Sequence, residues 1–461
     1  MGNKTKNIWA IIATGLLSFL GTNLLTGLSI AIPTIIKTDH VSTDVGQLIN
    51  SGYSMMVGIC ILMSTYLLSR FSTKQLFQNS ILLFILGLLL SGFAPNFWVL
   101  LIGRLITGIA SGLSIPLMFN IILAKVPENN RGVMIGIGTL LVTMGPALGP
   151  VYGSLVMKAF GIPALFLFML IIVAISWFLG FSTVEPISTI KSIKLDWPST
   201  ILLVLTLLSF TFGLSFLGSH QINAFIPITS VILAVVFTVF FFKRSTQISN
   251  PLLDVKVFRN SNFRNQNIAF FLSQVTAPAV GFLLSIYIQS VDLKSAFIAS
   301  MVIFPGSLIS AFLAPVGGKL LDKFGAAKII GLGASFFTIG LLMFWLVSRG
   351  EMNAMTALSI DIIFMIGMGL STGNLQTSGV NTLPNNEQSD GDAFFNASQQ
   401  YSGGVGTALA GTILSAFQGS AHGSALLTGT HSGTSWAFCA LFILAVISDW
   451  LLIRGFKSQG A

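Results

Sequence analysis

The sequence predicts an all-α, polytopic membrane protein with about fourteen transmembrane helices. Apolar stretches of about 20 residues, the length needed to cross a bilayer, recur along the whole chain. Only 8% of the 461 residues are charged and 53% are hydrophobic, whereas soluble domains carry roughly 25% charged residues. The Lys and Arg residues also gather on one side of the predicted spans, as in membrane proteins with a fixed orientation.

The first span begins at Trp9 and is too long and too polar for a cleaved signal peptide. The loops are short, and the longest, near 243–264, is too short to fold as a catalytic domain, so we expect no enzyme. The predicted spans lie near 9–34, 45–68, 76–94, 97–124, 132–157, 161–182, 198–217, 225–243, 265–290, 295–317, 328–348, 354–378, 392–417 and 434–453.

The basic residues give the expected orientation. With the N-terminus in the cytoplasm, about 18 Lys and Arg residues fall inside and about four outside, which follows the positive-inside rule. All seven tryptophans lie at or near span ends, where the interfacial aromatic belt forms. We therefore expect a multi-pass protein of the plasma membrane with both termini cytoplasmic. This asymmetry explains the net charge of +9 without a nucleic-acid partner.

An internal repeat divides the chain. The sequence of residues 67–72, after the second span, resembles that of 320–325, after the tenth. Arg104 followed by Gly-Leu-Ser at 112–114 likewise matches Asp361 followed by Gly-Leu-Ser at 369–371. Two bundles in the same orientation, with a site between them, are typical of transporters. We predict an N-terminal six-helix bundle (1–190), a two-helix insert (191–263) and a C-terminal six-helix bundle (264–461).

The fifth span contains the sequence Gly145-Pro146-Ala147-Leu148-Gly149-Pro150. Each proline removes a backbone donor, which membrane helices tolerate only where other protein or water replaces the lost hydrogen bond. The small residues let a neighbouring backbone approach closely. The stretch therefore predicts a bendable helix that packs against another helix. The structural alternative is a tight helix crossing that has no role in transport.

These motifs resemble the major facilitator superfamily, and in particular its fourteen-span drug:proton antiporters, which include multidrug, tetracycline and quaternary-ammonium exporters. The 145–150 stretch with Gly153 looks like the antiporter motif of the fifth helix, and 104–108 looks like the arginine motif of the fourth. Residues 318–325 match the loop signature of the second half. The resemblance implies a major facilitator fold, and a gating role for Gly145, Pro146, Gly149, Pro150, Asp322 and Gly325.

Two departures from the family pattern concern the first half. Ser69 stands where the family has an aspartate and Ser72 where it has glycine. In the first span, Leu24 and Leu25 occupy the region, some nine residues before Pro33, where the family often carries an acid. Proton coupling must therefore lie elsewhere or be absent.

Arg104 and Asp361 are the charged residues deep inside predicted spans, each about 10 Å from the outer end of its helix at roughly 1.5 Å per residue. A charge near the bilayer centre costs on the order of 3 kcal/mol, so both must face a cavity or a partner. We expect Asp361 to take and release the coupling proton, with Arg104 sensing it. The alternatives are structural: Asp361 pairs with Arg104 or an amide, and Arg104 binds backbone carbonyls.

Polar and flexible side chains in the spans are the candidates for substrate binding, although such residues more often join helices or fill the core. The candidate set is Asn23, Thr26, Tyr53, Gln274, Tyr287, Met365, Met368, Gln400 and Tyr401.

The expected function is proton-coupled export of small amphipathic or cationic compounds by alternating access, with protons, substrate and the lipid bilayer as partners. The first alternative is a carrier of a lipid-like or metabolic solute, with or without proton coupling. A membrane enzyme is disfavoured because no His, Asp, Glu or Cys residues cluster at a membrane face.

No P-loop signature is present, so we expect no nucleotide and no other cofactor. Cys60 and Cys439 both lie in apolar stretches, which excludes a metal cluster or a disulfide framework. We expect a monomer.

Overall fold

The computed structural model describes residues 3–187, 196–217, 222–248, 251, 253–384, 387–419 and 424–457. This part of the chain is helical, with short connections and no β-strand, so the all-α prediction is confirmed. The second predicted span consists of three helical segments joined at Gln47 and Met63. Both joints have right-handed helical dihedrals, so we number the three segments together.

The helices follow the order of the predicted spans. They are α1 (Asn3–Thr38), α2 (Thr43–Gly46, Leu48–Leu62 and Ser64–Arg70), α3 (Thr73–Gly92), α4 (Phe97–Lys125), α5 (Glu128–Phe160), α6 (Ile162–Leu167 and Met169–Thr183), α7 (Trp197–Phe216), α8 (Phe225–Gln247), α9 (Ser261–Ser290), α10 (Ala296–Phe324), α11 (Ala326–Val347), α12 (Ala354–Val380), α13 (Gln388–Gln418) and α14 (Ser424–Lys457). A short 3₁₀-helix, Val255–Arg259, precedes α9.

Thirteen of the described helices are long and apolar enough to cross a membrane. The exception is α13, whose first half is rich in Asp, Asn, Gln and Ser. It has 31 residues and packs between α2 and α9, so its polar half contacts protein rather than lipid. Several helices, α1 and α14 among them, continue beyond the predicted spans because polar residues at their ends extend the helix past the apolar segment.

The helices pack as two bundles. In the first bundle α1 packs on α4, α5 and α6, and α2 and α3 pack on α4. In the second, α9 packs on α13 and α14, while α10 and α11 pack on α12. The bundles contact each other through α1 and α9, α2 and α13, and α5 and α10. Helices α7 and α8 pair with each other, and α7 joins the contact between α2 and α13.

The predicted boundaries between the bundles and the insert stay predictions. The first, after residue 190, lies outside the described residues. The second, before residue 264, falls inside the first turn of α9, which already begins at Ser261.

We call the face of the molecule that carries Lys6 and Arg454 the terminus side, and the opposite face the distal side. On the terminus side, Glu185 forms ion pairs with Lys6 (2.5 Å) and Lys125 (3.0 Å). The hydrogen bond from Lys6, with that from Lys125, lowers the pKa of Glu185 to about 2. These contacts tie the ends of α1 and α4 to the chain that follows α6.

A second ion pair holds the insert together on the same side. Arg244, near the end of α8, contacts Asp196, which precedes α7, at 2.6 Å. This hydrogen bond from Arg244 lowers the pKa of Asp196.

Candidate functional site

Arg104 lies on α4 and is fully buried. Its guanidinium carbon is 4.1 Å from the centre of the Tyr53 ring on α2, which is a cation–π geometry. The Tyr53 hydroxyl donates a hydrogen bond of 2.8 Å to the carbonyl of Gly21 on α1. None of the three guanidinium nitrogens has a hydrogen-bond partner among the described residues, so the alternative in which Arg104 binds backbone carbonyls is wrong for this conformation.

Asp361 lies on α12 and is also fully buried. Neither carboxyl oxygen has a hydrogen-bond partner in the described part of the chain. The carboxyl instead lies against Gly306 on α10, where a Cβ would meet Asp361 Oδ2 and would come within 3.0 Å of Met365 Cγ. A glycine at this position therefore makes the room that the carboxyl occupies.

Arg104 and Asp361 belong to different bundles, and the structure records no ion pair between them among the residues it describes. The Arg104 pairing expected as the structural alternative for Asp361 is therefore absent here. Burying a polar group without a partner costs free energy, and burying a charge costs more. Ionisable residues within membrane-spanning helices are rare, so Arg104 and Asp361 are the candidate functional residues of the two bundles.

Glycines set the helix crossings beside both residues. A Cβ at Gly112 of α4 would lie 2.7 Å from the Val57 carbonyl oxygen of α2. A Cβ at Gly369 of α12 would lie 2.7 Å from the Ser310 carbonyl oxygen of α10. Each glycine is eight residues after its charged residue. The predicted repeat therefore corresponds to matching helix crossings.

The Pro-rich stretch of α5 packs against α1, as expected. A Cβ at Gly149 would lie 2.6 Å from the Asn23 carbonyl oxygen. Pro146 cannot donate to the Val142 carbonyl one turn earlier, and the Thr22 hydroxyl of α1 donates to that oxygen instead, at 3.0 Å. Protein thus replaces one of the hydrogen bonds that the prolines remove.

The predicted substrate residues divide by their contacts. Asn23 is buried and donates to the Gly145 carbonyl, at 3.3 Å, and Thr26 donates within its own helix. The Tyr287 hydroxyl accepts from the Met352 amide in a distal loop. The Tyr401 hydroxyl donates to the Leu207 carbonyl of α7, at 3.1 Å. Asn23, Tyr287 and Tyr401 therefore join different elements of the protein in this conformation.

Four further candidates lie on helices of the second bundle. Gln274 on α9 accepts a long hydrogen bond, 3.4 Å, from Thr372 on α12. Gln400 is half-buried. Met365 and Met368 are buried in the core of the second bundle, Met365 beside Asp361. The substrate role of all nine residues stays a prediction.

The predicted gating residues at the end of α10 are described only in part. Gly325 separates α10 from α11 with a φ of 85°, a conformation that favours glycine. The side chain of Asp322 lies outside the described residues.

A carboxylate missed by the sequence analysis lies at the start of α13. Asp392 accepts hydrogen bonds from Gln376 on α12 and from Asn396 on its own helix, both at 2.9 Å. The predicted span begins at residue 392, so Asp392 stands at its first position and is not among the candidate residues. The spacing of four residues between Asp392 and Asn396, which places both on one helix face, was the signal that could have identified it.

Hydrogen bonds join the two bundles near their distal ends. Ser154 of α5 and Ser300 of α10 are 2.8 Å apart, and Ser285 of α9 donates to the Ser29 carbonyl of α1 at 3.2 Å. Further toward the terminus side, α5 and α10 expose apolar side chains, such as Leu140 and Phe312. The contact between these helices is therefore polar and closed at the distal end.

The paired bundles and their buried charges define a polytopic membrane transporter, and comparisons with known proteins give its family. Residues 11–407 match the Major Facilitator Superfamily. The chain belongs to this superfamily, and its fold is the major facilitator fold.

Curated relatives and solved structures agree with this assignment. The chain is 30% identical to "Lincomycin resistance protein LmrB" of Listeria innocua over 90% of this chain and 88% of the relative. It is 27% identical to "Multidrug resistance protein B homolog" of Mycobacterium tuberculosis over 79% of this chain and 68% of that protein. The crystal structure of a POT family transporter in complex with a thioalcohol conjugated peptide has a TM-score of 0.71 at 14% identity, covering 97% of this chain and 96% of that one. That structure supports the fold alone.

Proposed function

We propose that this transporter exports small amphipathic or cationic compounds across the plasma membrane in exchange for protons. The observation that carries the proposal is Asp361, a fully buried carboxyl without a hydrogen-bond partner among the described residues. A carboxyl in such surroundings is stable when protonated, and it can lose the proton when water or a cation reaches it. Relatives named for lincomycin and multidrug resistance support an exported compound.

Alternating access supplies the mechanism. In the proposed orientation both termini are cytoplasmic, so the conformation described is closed toward the outside by contacts such as Ser154 with Ser300. Substrate enters from the cytoplasmic side between the bundles. Protonation of Asp361 from outside then alternates with substrate binding, while the two bundles rock against each other.

Arg104 has a supporting role in this proposal. Its guanidinium has no hydrogen-bond partner among the described residues and lies on the Tyr53 ring, so its positive potential is screened less than it would be in water. Asp392, with its amide partners, provides a carboxylate on the terminus side where a cation can first bind.

The test is transport into inverted membrane vesicles with a panel of cationic, zwitterionic and neutral dyes, with and without an imposed pH gradient. We expect cationic dyes to accumulate only with the gradient, and Asp361→Asn to lose at least about tenfold of that uptake. Asp39→Asn, at a partly exposed distal position just after α1, is the control and should behave as the wild type.

Two outcomes would contradict the proposal. Gradient-driven uptake that Asp361→Asn leaves intact would remove the proton role of this residue. Movement of a neutral metabolite but of no cationic dye would favour the metabolite carrier. A relative from Clostridioides difficile, 25% identical over 83% of this chain and 82% of its own length, is named "Riboflavin transporter RibZ", so riboflavin belongs in the panel.

A further inference from the structure

A groove runs between α11 and α14 in the second bundle. Its volume is about 580 Å³, within the range of about 300–1,000 Å³ that small-molecule sites occupy. Helix α11 lines it with small residues, Gly331 and Ser335 among them, and α14 lines it with apolar side chains such as Leu452 and Phe456. One carboxyl, that of Asp449, also lines the groove. The proposed transport mechanism uses none of these residues.

The polar atoms of the groove need a donor. Asp449 Oδ2 accepts a hydrogen bond of 2.7 Å from the Thr338 hydroxyl, while Asp449 Oδ1 is buried without a partner in the described part of the chain. The Ser335 hydroxyl donates to the Gly331 carbonyl at 2.9 Å, so its oxygen can only accept from a ligand. None of the lining residues is basic. A ligand must therefore bring its own donor, and a cationic donor suits the carboxyl best.

We propose that this groove binds an amphipathic amine that carries no phosphate, with its ammonium group at Asp449 and its apolar body along Leu452 and Phe456. Seven residues separate Asp449 from Phe456, which is about 10 Å along a helix and suits a drug-sized molecule. The site is separate from the space between the bundles, and it does not depend on export or on proton coupling.

Charge complementarity distinguishes this occupant from an aminophospholipid. The ammonium group of such a lipid is held close to an anionic phosphate. With the ammonium at Asp449, that phosphate would lie beside Ala334 and Leu452 in the groove, where no basic side chain would pair with it. Burying an unpaired phosphate costs more than the ammonium contact returns.

Binding of rhodamine 6G, an amphipathic amine dye, to the purified full-length protein tests the site. The protein is placed in phosphatidylcholine nanodiscs, and bound dye is measured by fluorescence anisotropy to saturation. Gly331→Leu fills the groove, because no protein atom lies within 4 Å of a Cβ at this position. We expect this variant to bind one dye fewer per protein. Asp449→Asn keeps an acceptor for Thr338 but loses the charge, and should weaken the same site about tenfold.

Leu332→Ala is the matched control, since Leu332 is exposed on α11 and does not line the groove. Ala327→Leu is a second filling variant for use if Gly331→Leu does not yield a folded protein. Wild-type stoichiometry and affinity in the filling and charge variants would overturn the proposal. So would displacement of the dye by phosphatidylethanolamine added to the nanodiscs, because the occupant would then be an aminophospholipid. Loss of binding in Asp361→Asn alone would place the dye between the bundles instead.

Discussion

The two bundles use the same helix crossing to bury opposite charges. In the first, α2 and α4 cross at Gly112, and Arg104 lies on the Tyr53 ring. In the second, α10 and α12 cross at Gly369, and Asp361 lies against Gly306. Tyr53 precedes the first crossing contact, Val57, by four residues, and Gly306 precedes Ser310 by four. A large aromatic residue thus supports a cation at the position where a glycine makes room for a carboxyl.

This difference teaches that the backbone scaffold and the chemistry are specified separately. The crossing glycines determine how closely the helices approach, and they are the same in both bundles. The residue one turn earlier determines which charge can be buried. A duplicated scaffold can therefore bury a carboxyl in one half and a guanidinium in the other.

The largest effect is expected from the shared scaffold. Gly112→Leu and Gly369→Leu each force a side chain into a backbone 2.7 Å away, and overpacking of this kind costs about 3 kcal/mol or more. We expect both to lower the thermal stability of the purified protein by similar amounts. Gly318→Leu on α10, where a Cβ meets open space, should be neutral. A large effect at only one crossing would show that the bundles are not equivalent.

The second prediction concerns the residue one turn earlier. Gly306→Ala places a methyl group where the Asp361 carboxyl now lies, so the carboxyl must move. We expect gradient-driven dye uptake to fall about tenfold, with the melting temperature little changed because the surroundings can shift around one methyl group. Gly331→Ala on α11, where a Cβ meets open space, should retain uptake. Full uptake in Gly306→Ala would mean that the position of the carboxyl does not limit transport.

How much of this could be predicted from the sequence depends on the kind of interaction. Span order, the repeat and the burial of Arg104 and Asp361 follow from composition and spacing, because lipid penalises a charge near the middle of any span. The contacts of Tyr53 and Gly306 could not be predicted, since they depend on how helices distant in sequence rotate against each other. Asp392 was missed because apolar length defined the start of α13, and that helix is covered by protein.

The Pro-rich crossing of α1 with α5 also differs from its counterpart in the second bundle. There, Gly406 of α13 packs against the Val275 carbonyl of α9 as Gly149 packs against that of Asn23. Where α5 has Pro146 and Pro150, the equivalent region of α13 has no proline. The hydrogen bond from Thr22 to the Val142 carbonyl is therefore a feature of the first bundle alone.

The third prediction follows from that hydrogen bond. Thr22→Val leaves the Val142 carbonyl without its donor, and an unsatisfied buried carbonyl costs about 1–3 kcal/mol. We expect a lower melting temperature for the purified variant. Thr14→Val is the matched control, because Thr14 is buried on the same helix and its hydroxyl donates only to carbonyls of α1 itself. Equal losses in the two variants would show that the hydroxyl has no special role at the proline.

The smallest effect is expected at the ion pairs of the terminus side, which contrast with the buried charges because water screens them. Glu185 is partly exposed, with a pKa of about 2 against its usual 4.5. Its pairs with Lys6 and Lys125 should therefore stabilise the fold fully above about pH 4.5 and lose that effect as the pH falls toward 2.

Glu185→Gln should cost no more than about 1 kcal/mol of folding free energy at neutral pH and low salt. The difference from the wild type should shrink in high salt and below pH 4. The melting temperatures of the wild type and Glu185→Gln across this pH range measure this stability difference. A difference that persists at pH 2 would mean that Glu185 stabilises the fold by packing rather than by charge. We therefore expect a small loss at this partly exposed ion pair and a large loss of uptake when the buried Asp361 carboxyl is displaced.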